Sequence, residues 1–120
     1  MGFLLFILAS IMWIPLSVIN FFHVLVKYAK EKGYWKVMNE YFMTTAIDID
    51  RFGNRNFRSL WNSTLRTPEG YAFGNEVETI SSALGKNQRD NTLTKTGEVL
   101  CSILDYLDPN HCKNSINENV

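Results

Sequence analysis

The chain has 120 residues, and its twelve Lys plus Arg are balanced by twelve Asp plus Glu, so the formal net charge is zero. This excludes a global field that would recruit nucleic acid or an acidic substrate. Residues 1–26 carry no charged side chain, so every charge lies in the 94 residues that follow, which support one modest core and not two domains.

Residues Phe3 to Val26 are predominantly apolar, and about 20 such residues suffice to cross a bilayer as a helix. A cleaved signal peptide would show a basic start, a shorter apolar core and a small-residue cleavage site. None is present, so the segment is expected to remain as an anchor. Lys27, Lys30, Lys32 and Lys36 follow it with Glu31 as their one acidic neighbour, and this excess of positive charge predicts a cytoplasmic C-terminal domain. Pro15, Asn20 and His23 interrupt the apolar run. A membrane helix tolerates a proline, and the two polar residues lie near one end of the span, so an ion or proton path is not expected.

After Gly33, residues Tyr34, Val37, Met38, Tyr41, Phe42, Thr45, Ala46 and Ile49 recur at i, i+3, i+4 and i+7, the pattern of an amphipathic helix. Its aromatic face suits either a protein core or a membrane surface, with Trp35 interfacial. Arg51, Arg55, Arg58 and Arg66 then follow with no acidic residue between them. Interleaved with Phe52, Phe57 and Trp61, they fit three readings. One is a solvated basic face that turns Phe57, Leu60 and Trp61 inward; the others are a lipid-headgroup patch and a nucleic-acid stacking surface. Proximity to the anchor favours lipid phosphate, with Arg51, Arg55 and Arg58 as contacts, because four arginines make few phosphate contacts on a nucleic acid.

Thr67-Pro68-Glu69-Gly70 has turn chemistry and Gly74-Asn75 closes a loop, dividing the domain into two helical halves. Asn75 and Glu78 stand at capping-box spacing, which predicts a helix from Glu76 to about Leu84 with Gly85 at its end. Thr94 is placed to cap a third helix bearing Val99, Leu100, Ile103, Leu104 and Leu107. Asp108-Pro109 ends it and opens a last short turn, and residues 113–120 read as a frayed tail. No run alternates long enough for a strand. The expected fold is therefore all-α, with an N-terminal transmembrane helix followed by a small helical domain. Residues 1–32 form the anchor and basic juxtamembrane segment, 33–116 the domain, and 117–120 a disordered tail.

No P-loop, dinucleotide-binding glycine turn, His-Glu-x-x-His or paired Cys-x-x-Cys occurs. What remains is a polar stripe: on the expected helix Glu78, Ser81, Ser82 and Gly85 fall on one side, beside Val77, Ile80 and Leu84. Glu78 as base or ligand and a serine as nucleophile is one reading. Close helix approach over two serines and a glycine, with Glu78 capping its own helix, is the other. His111 and Cys112 are expected to fold back onto Glu78, Ser81 and Ser82 in one partly buried polar cluster. Adjacent side chains diverge on a helix, and the other donors, Glu78, Asp50 and Cys101, lack zinc-site spacing, so no metal or other cofactor is expected. Cys101 lies off its helix's apolar face and the predicted compartment is reducing, so both cysteines are expected as free thiols.

The segment E-T-I-S-S-A-L-G-K from Glu78 to Lys86, then T-L-T-K-T-G, I-L-D-Y-L-D-P-N-H-C and K-N-S-I, resembles a group of small membrane-associated proteins of tailed bacteriophages and prophages. These share a Glu-Thr-x-Ser-Ser-x-x-Gly segment and a terminal His-Cys, and the resemblance covers roughly residues 46–116. It implies Glu78, Ser81, Ser82, Gly85, His111 and Cys112 as the matching positions, with Asp50 a looser one. Val77 and Ala83 stand where related sequences often carry an acidic residue and an arginine. The resemblance implies an origin and a site but no activity. Two functions follow as expectations. The first is an accessory protein anchored in the inner membrane of a bacterial host, whose partners are the bilayer and a phage or host membrane protein. The second is a small membrane-tethered hydrolase or transferase using the Glu/Ser/His/Cys cluster.

Overall fold

Free of charge up to Lys27, the segment Gly2–Lys32 forms one uninterrupted helix, α1, in the computed structural model, which describes residues 1–120. Pro15 lies within it. Gly33 adopts φ +87°, a conformation that costs glycine little, and breaks α1 from α2, Tyr34–Asn56. A short helix, α3, Arg58–Thr64, follows. After an irregular stretch come α4, Ile80–Arg89, α5, Lys95–Leu107, and α6, His111–Asn114. The protein is all-helical, and its only extended pairing is one antiparallel bridge between Arg66 and Leu93.

The chain forms two compact units, Met1–Thr45 and Ala46–Val120, which meet inside α2. In the first unit α1 is long and apolar enough to cross a membrane, with a mean hydropathy of 2.3 over a window of which none is buried. Ser17, Phe21, Val24, Leu25 and Ala29 are its buried or half-buried positions, spaced as one helix face. The corresponding positions on α2 are Val37, Met38, Tyr41 and Thr45. Tyr34 and Phe42, expected on the same apolar face, are exposed.

The second unit is organised around α4, in which every residue from Ser81 to Asn87 is buried. Leu65, Phe73, Ala83, Leu84, Cys101 and Cys112 form its apolar core, and Trp61, Tyr71, Ile80, Leu93, Leu100 and Leu104 pack against it. The start of α4 differs from the sequence expectation. Asn75 accepts from the Val77 amide through its side chain and from the Glu78 amide through its carbonyl, which makes a turn and not a helix start. Thr79 takes the capping role, its Oγ1 accepting from the Ser82 amide at 3.0 Å. The helix therefore begins four residues late and runs through Gly85. That glycine is inside α4 because the backbone of Cys112 and the side chain of Ile116 occupy the space a Cβ would need.

Thr94 caps α5 as expected, accepting from the Gly97 amide at 3.2 Å. The inward face of α5 is displaced, however: Gly97 and Cys101 are buried, Leu100 and Leu104 half-buried, and Val99, Ile103 and Leu107 exposed. At Gly97 a Cβ would meet the carbonyl oxygen of Leu65. The backbone therefore approaches along the glycine line, and the larger aliphatic residues are rotated outward. Residues 113–120 do not fray. The Asn117 amide donates to Ser82 Oγ at 2.9 Å and Arg89 pairs with Glu118 at 2.7 Å, so the segment folds back along α4.

Gly85→Ala should destabilise the second unit by about 1 to 3 kcal/mol, as overpacking of a closed contact does. Chemical denaturation followed by circular dichroism measures this. A neutral result would show that α6 does not lie against α4.

Candidate functional site

The sequence elements expected to make one polar cluster make two, both in the second unit. The first lies at the N-terminal end of α4, where Asp50 of α2 accepts from the Ile80 amide at 2.7 Å and from Ser81 Oγ at 3.1 Å. Ser81 Oγ lies 3.1 Å from His111 Nε2, and His111 Nδ1 lies 2.9 Å from Asp108 Oδ2. Asn110, left-handed at φ +59°, supplies the reversal that returns His111 to α4 after Asp108-Pro109. With the Ser81 proton directed at Asp50, Ser81 is left to accept from the ring. The contacts form a chain running Asp108, His111, Ser81, Asp50.

The second cluster is deeper. Glu78, just ahead of the Thr79 cap of α4 and wholly buried, forms an ion pair with Lys86 Nζ at 2.7 Å, and the two side chains are 0% and 4% exposed. Ser82 Oγ donates to Glu78 Oε2 at 2.7 Å and Tyr71 OH donates to Oε1 at 2.9 Å. Lys86 also donates to Tyr71 OH at 3.2 Å and to the backbone oxygen of Val120 at 2.7 Å, so all three ammonium protons are used. The same ammonium lies 4.3 Å from the centre of the Tyr71 ring. Burial opposes the charge on Lys86, but its hydrogen bonds to Glu78 and Tyr71 outweigh this and raise its pKa above the ordinary 10.5. Burial, joined by the Glu78 carboxylate and opposed by Lys86, raises the Tyr71 hydroxyl above 10.0.

Ser81 and Ser82 lie on α4, whereas Glu78 precedes it and His111 reaches it from α6, and Glu78 and Ser82 belong to one network and Ser81 and His111 to the other. Cys112 belongs to neither. It is bonded to Cys101, which corrects the expectation of two free thiols. The displaced face of α5 points Cys101 inward, and the Asn110 reversal brings α6 onto it. Asp105 Oδ1 accepts from the Cys112 amide at 3.0 Å. The donor atoms of Cys101, Asp105 and Cys112 lie within 4.8 Å of one another, but two sulfurs joined to each other are not two thiolate ligands.

Sequence reasoning missed Tyr71, Lys86 and Asp108 as members of the clusters, together with the buried or half-buried asparagines that hold the 70–78 loop. Asn54 donates to the Asn75 and Glu78 carbonyls and accepts from the Gly74 amide. Asn62 and Asn87 do the same for Phe73 and Tyr71, each donating to the carbonyl and accepting from the amide of one residue. Glu78 lies ahead of α4, so no helical spacing signalled its pairing with Lys86.

The basic block is laid out differently from its solvated-face reading. Trp61 is half-buried, its Nε1 donating to the Gly53 carbonyl at 3.1 Å. Phe52, Phe57 and Leu60, by contrast, are 62%, 47% and 54% exposed. Arg55 and Arg58 reach backbone carbonyls of Gly74 and Arg55. Arg66 is absorbed by Asn62 and the carbonyls of the 67–70 turn. No carboxylate pairs with Arg51, Arg55 or Arg58. No protein-family model, curated protein or solved structure matches the chain.

Glu78→Gln leaves the Lys86 ammonium enclosed without its counter-charge and should cost about 3 to 5 kcal/mol of stability. Ser82→Ala should cost less, about 1 to 3 kcal/mol. For both Lys86 and Tyr71 the folded state holds the proton more tightly than the unfolded chain. Their contribution is therefore complete below the unfolded values and declines as pH rises through the raised folded ones. The melting temperature should fall on the alkaline side beginning near pH 10, and Lys86→Met with Glu78→Leu should flatten that limb.

Proposed function

We propose that this is a phage-encoded accessory protein of the bacterial inner membrane, with its helical domain in the cytoplasm, acting by binding a phage or host membrane component. One observation carries the reading: α1 exposes an uncharged apolar surface from Phe3 to Ile19 that no other part of the chain covers. Apolar surface left in water costs about 25 cal/mol per Å², and a bilayer removes that cost. The lysines that follow α1 support the cytoplasmic side. The unpaired arginines among exposed Phe52, Phe57 and Leu60 support contact with anionic headgroups. The phage origin is supported by the ordered Glu-Thr-x-Ser-Ser-x-x-Gly and His-Cys segments.

A cytoplasmic domain keeps its thiols reduced, so the Cys101–Cys112 bond weighs against the cytoplasmic side and the lysines weigh for it. A reporter fused after Val120 decides between them: activity only in its cytoplasmic form is the expected result, and export-dependent activity would overturn the topology.

The isolated 46–120 unit, once its helical circular dichroism is verified, should bind vesicles containing phosphatidylglycerol and be released by salt. Reversing Arg51, Arg55 and Arg58 to Glu should weaken this about a hundredfold, at roughly 1 kcal/mol per basic residue. Equal binding to neutral vesicles would leave the aromatic surface as the only determinant.

The spacing of Ser81, His111 and Asp108 favours a second reading, a hydrolase with Ser81 as nucleophile and His111 as base. Binding leads for three reasons. Ser81 is 4% exposed and its proton is directed at Asp50. The amides of Ile80 and Ser82, which would otherwise stabilise an oxyanion, are taken by Asp50 and Thr79. A fluorophosphonate probe that labels the chain and not Ser81→Ala would establish the hydrolase reading, and absence of labelling would remove it.

A further inference from the structure

The contact between α5 and α6 brings three metal-ligating side chains to one place. Cys101 and Asp105 stand four residues apart on α5, so they share a face of it, and Cys112 enters from α6. Their donor atoms lie within 4.8 Å of one another. Contacts other than the bond between the sulfurs hold them there. The Cys112 amide donates to Asp105 Oδ1 at 3.0 Å, the Cys112 backbone sits where a Cβ on Gly85 would stand, and the Asn117 amide fastens the chain beyond α6 to Ser82 Oγ at 2.9 Å. None of these contacts needs the disulfide.

Charge at this contact is unmatched. Asp105 is half-buried, and no lysine, arginine or histidine pairs with it. A dithiol that opens the Cys101–Cys112 bond is itself oxidised to a disulfide, and each cysteine sulfur gains a proton. The opened site then holds two buried thiols and a carboxylate with no cation. Thiolate sulfur and carboxylate oxygen are both zinc ligands, whereas copper(I) favours sulfur alone. At about 2.3 Å from each sulfur, a tetrahedral zinc ion holds the two about 3.8 Å apart, within reach of side chains whose Cα atoms are 6.2 Å apart. His111 is not a further donor, because Asp108 and Ser81 engage both of its ring nitrogens.

We propose that the reduced chain binds a zinc ion through Cys101, Cys112 and Asp105, with water in the fourth position on the half-exposed side of Asp105. Each thiol gives up its proton as the ion enters, so binding releases protons and weakens as pH falls. In the cell this rests on the cytoplasmic reading of the domain, which keeps the thiols reduced. Zinc and the disulfide are then alternative ways of joining α5 to α6.

The full-length chain in detergent, reduced with a dithiol and freed of it without oxygen, would be titrated with zinc against a chromogenic chelator and with cobalt(II) followed by absorption. The expected result is stoichiometric zinc uptake, with sulfur-to-cobalt charge transfer in the near ultraviolet. The oxidised chain, which has the same histidines and carboxylates, should show neither. Asp105→Asn keeps an oxygen for the Cys112 amide and removes the charge, so it should stay folded while zinc affinity falls about tenfold or more. Cys101→Ser and Cys112→Ser should each abolish stoichiometric uptake. No uptake by the reduced chain, equal uptake by the oxidised chain, or unchanged affinity in Asp105→Asn overturns the site. Loss of helical circular dichroism on reduction that zinc does not restore overturns it as well, because the donors must stay together without their bond. Reduction and titration are done on the purified chain, so their failure overturns the zinc site whatever the topology. Export-dependent activity of the Val120 reporter overturns the topology and leaves the titration result intact.

Discussion

A carboxylate and an ammonium enclosed together make the strongest demand in this fold, because each is tolerated only while the other is present and every remaining proton and lone pair is matched. Glu78 and Lys86 meet that demand by drawing on three parts of the chain: the loop through Tyr71, α4 through Ser82, and the C-terminal segment through Val120 and, by way of Ser82, Asn117. Other packing in the second unit must keep these groups in register. The return of residues 113–120 onto α4 follows from this, since without it Lys86 would lack one acceptor and Ser82 one donor.

The same logic explains why a helix reading S-S-A-L-G-K-N can be central. A buried helix is ordinarily apolar all round, and here the polar residues are each matched. Ser81 faces Asp50 and His111, Ser82 faces Glu78, and Asn87 faces Tyr71 and Thr92. The asparagines that mimic backbone across the 70–78 loop extend the pattern, giving an irregular stretch the partners a strand would have supplied. Only Thr67 Oγ1 is buried without a partner. Such networks are costly when half complete and specific when whole, which fits the two clusters to holding α6 and the C-terminal segment in place.

What was legible in the sequence was local. The charge-free stretch announces α1, Gly33 its end, Thr94 the start of α5, and the absence of alternation the all-helical class; each rests on spacing within a few residues. The return of His111 to Ser81 was also legible, because the Asp108-Pro109 turn folds the chain back onto α4, but Glu78 and Ser82 form a network of their own. What was not legible depended on contacts between distant segments. Asn75 has the chemistry of a cap, but Asn54 fixes the adjoining loop and Thr79 wins the role. Gly85 reads as the end of its helix, and only the backbone of Cys112 against it, like that of Leu65 against Gly97, reveals an approach point. That displacement also turned Cys101 inward and Val99, Ile103 and Leu107 outward, which periodicity alone assigns the other way.

The division between inside and outside that results bears on function. In a domain this small, burial of large apolar side chains is the main term opposing chain entropy, yet Leu65, Phe73 and Leu84 are the only large aliphatic or aromatic residues fully enclosed in the second unit. Phe52, Phe57 and Leu60 gather on one stretch and Val99, Ile103, Tyr106 and Leu107 on another, all about half exposed or more. Single exposed apolar residues are ordinary, but grouped ones mark contact surfaces. A polar network that holds the chain in shape from within, with apolar groups left at the surface, suits a protein whose stabilising contacts are completed by what it binds.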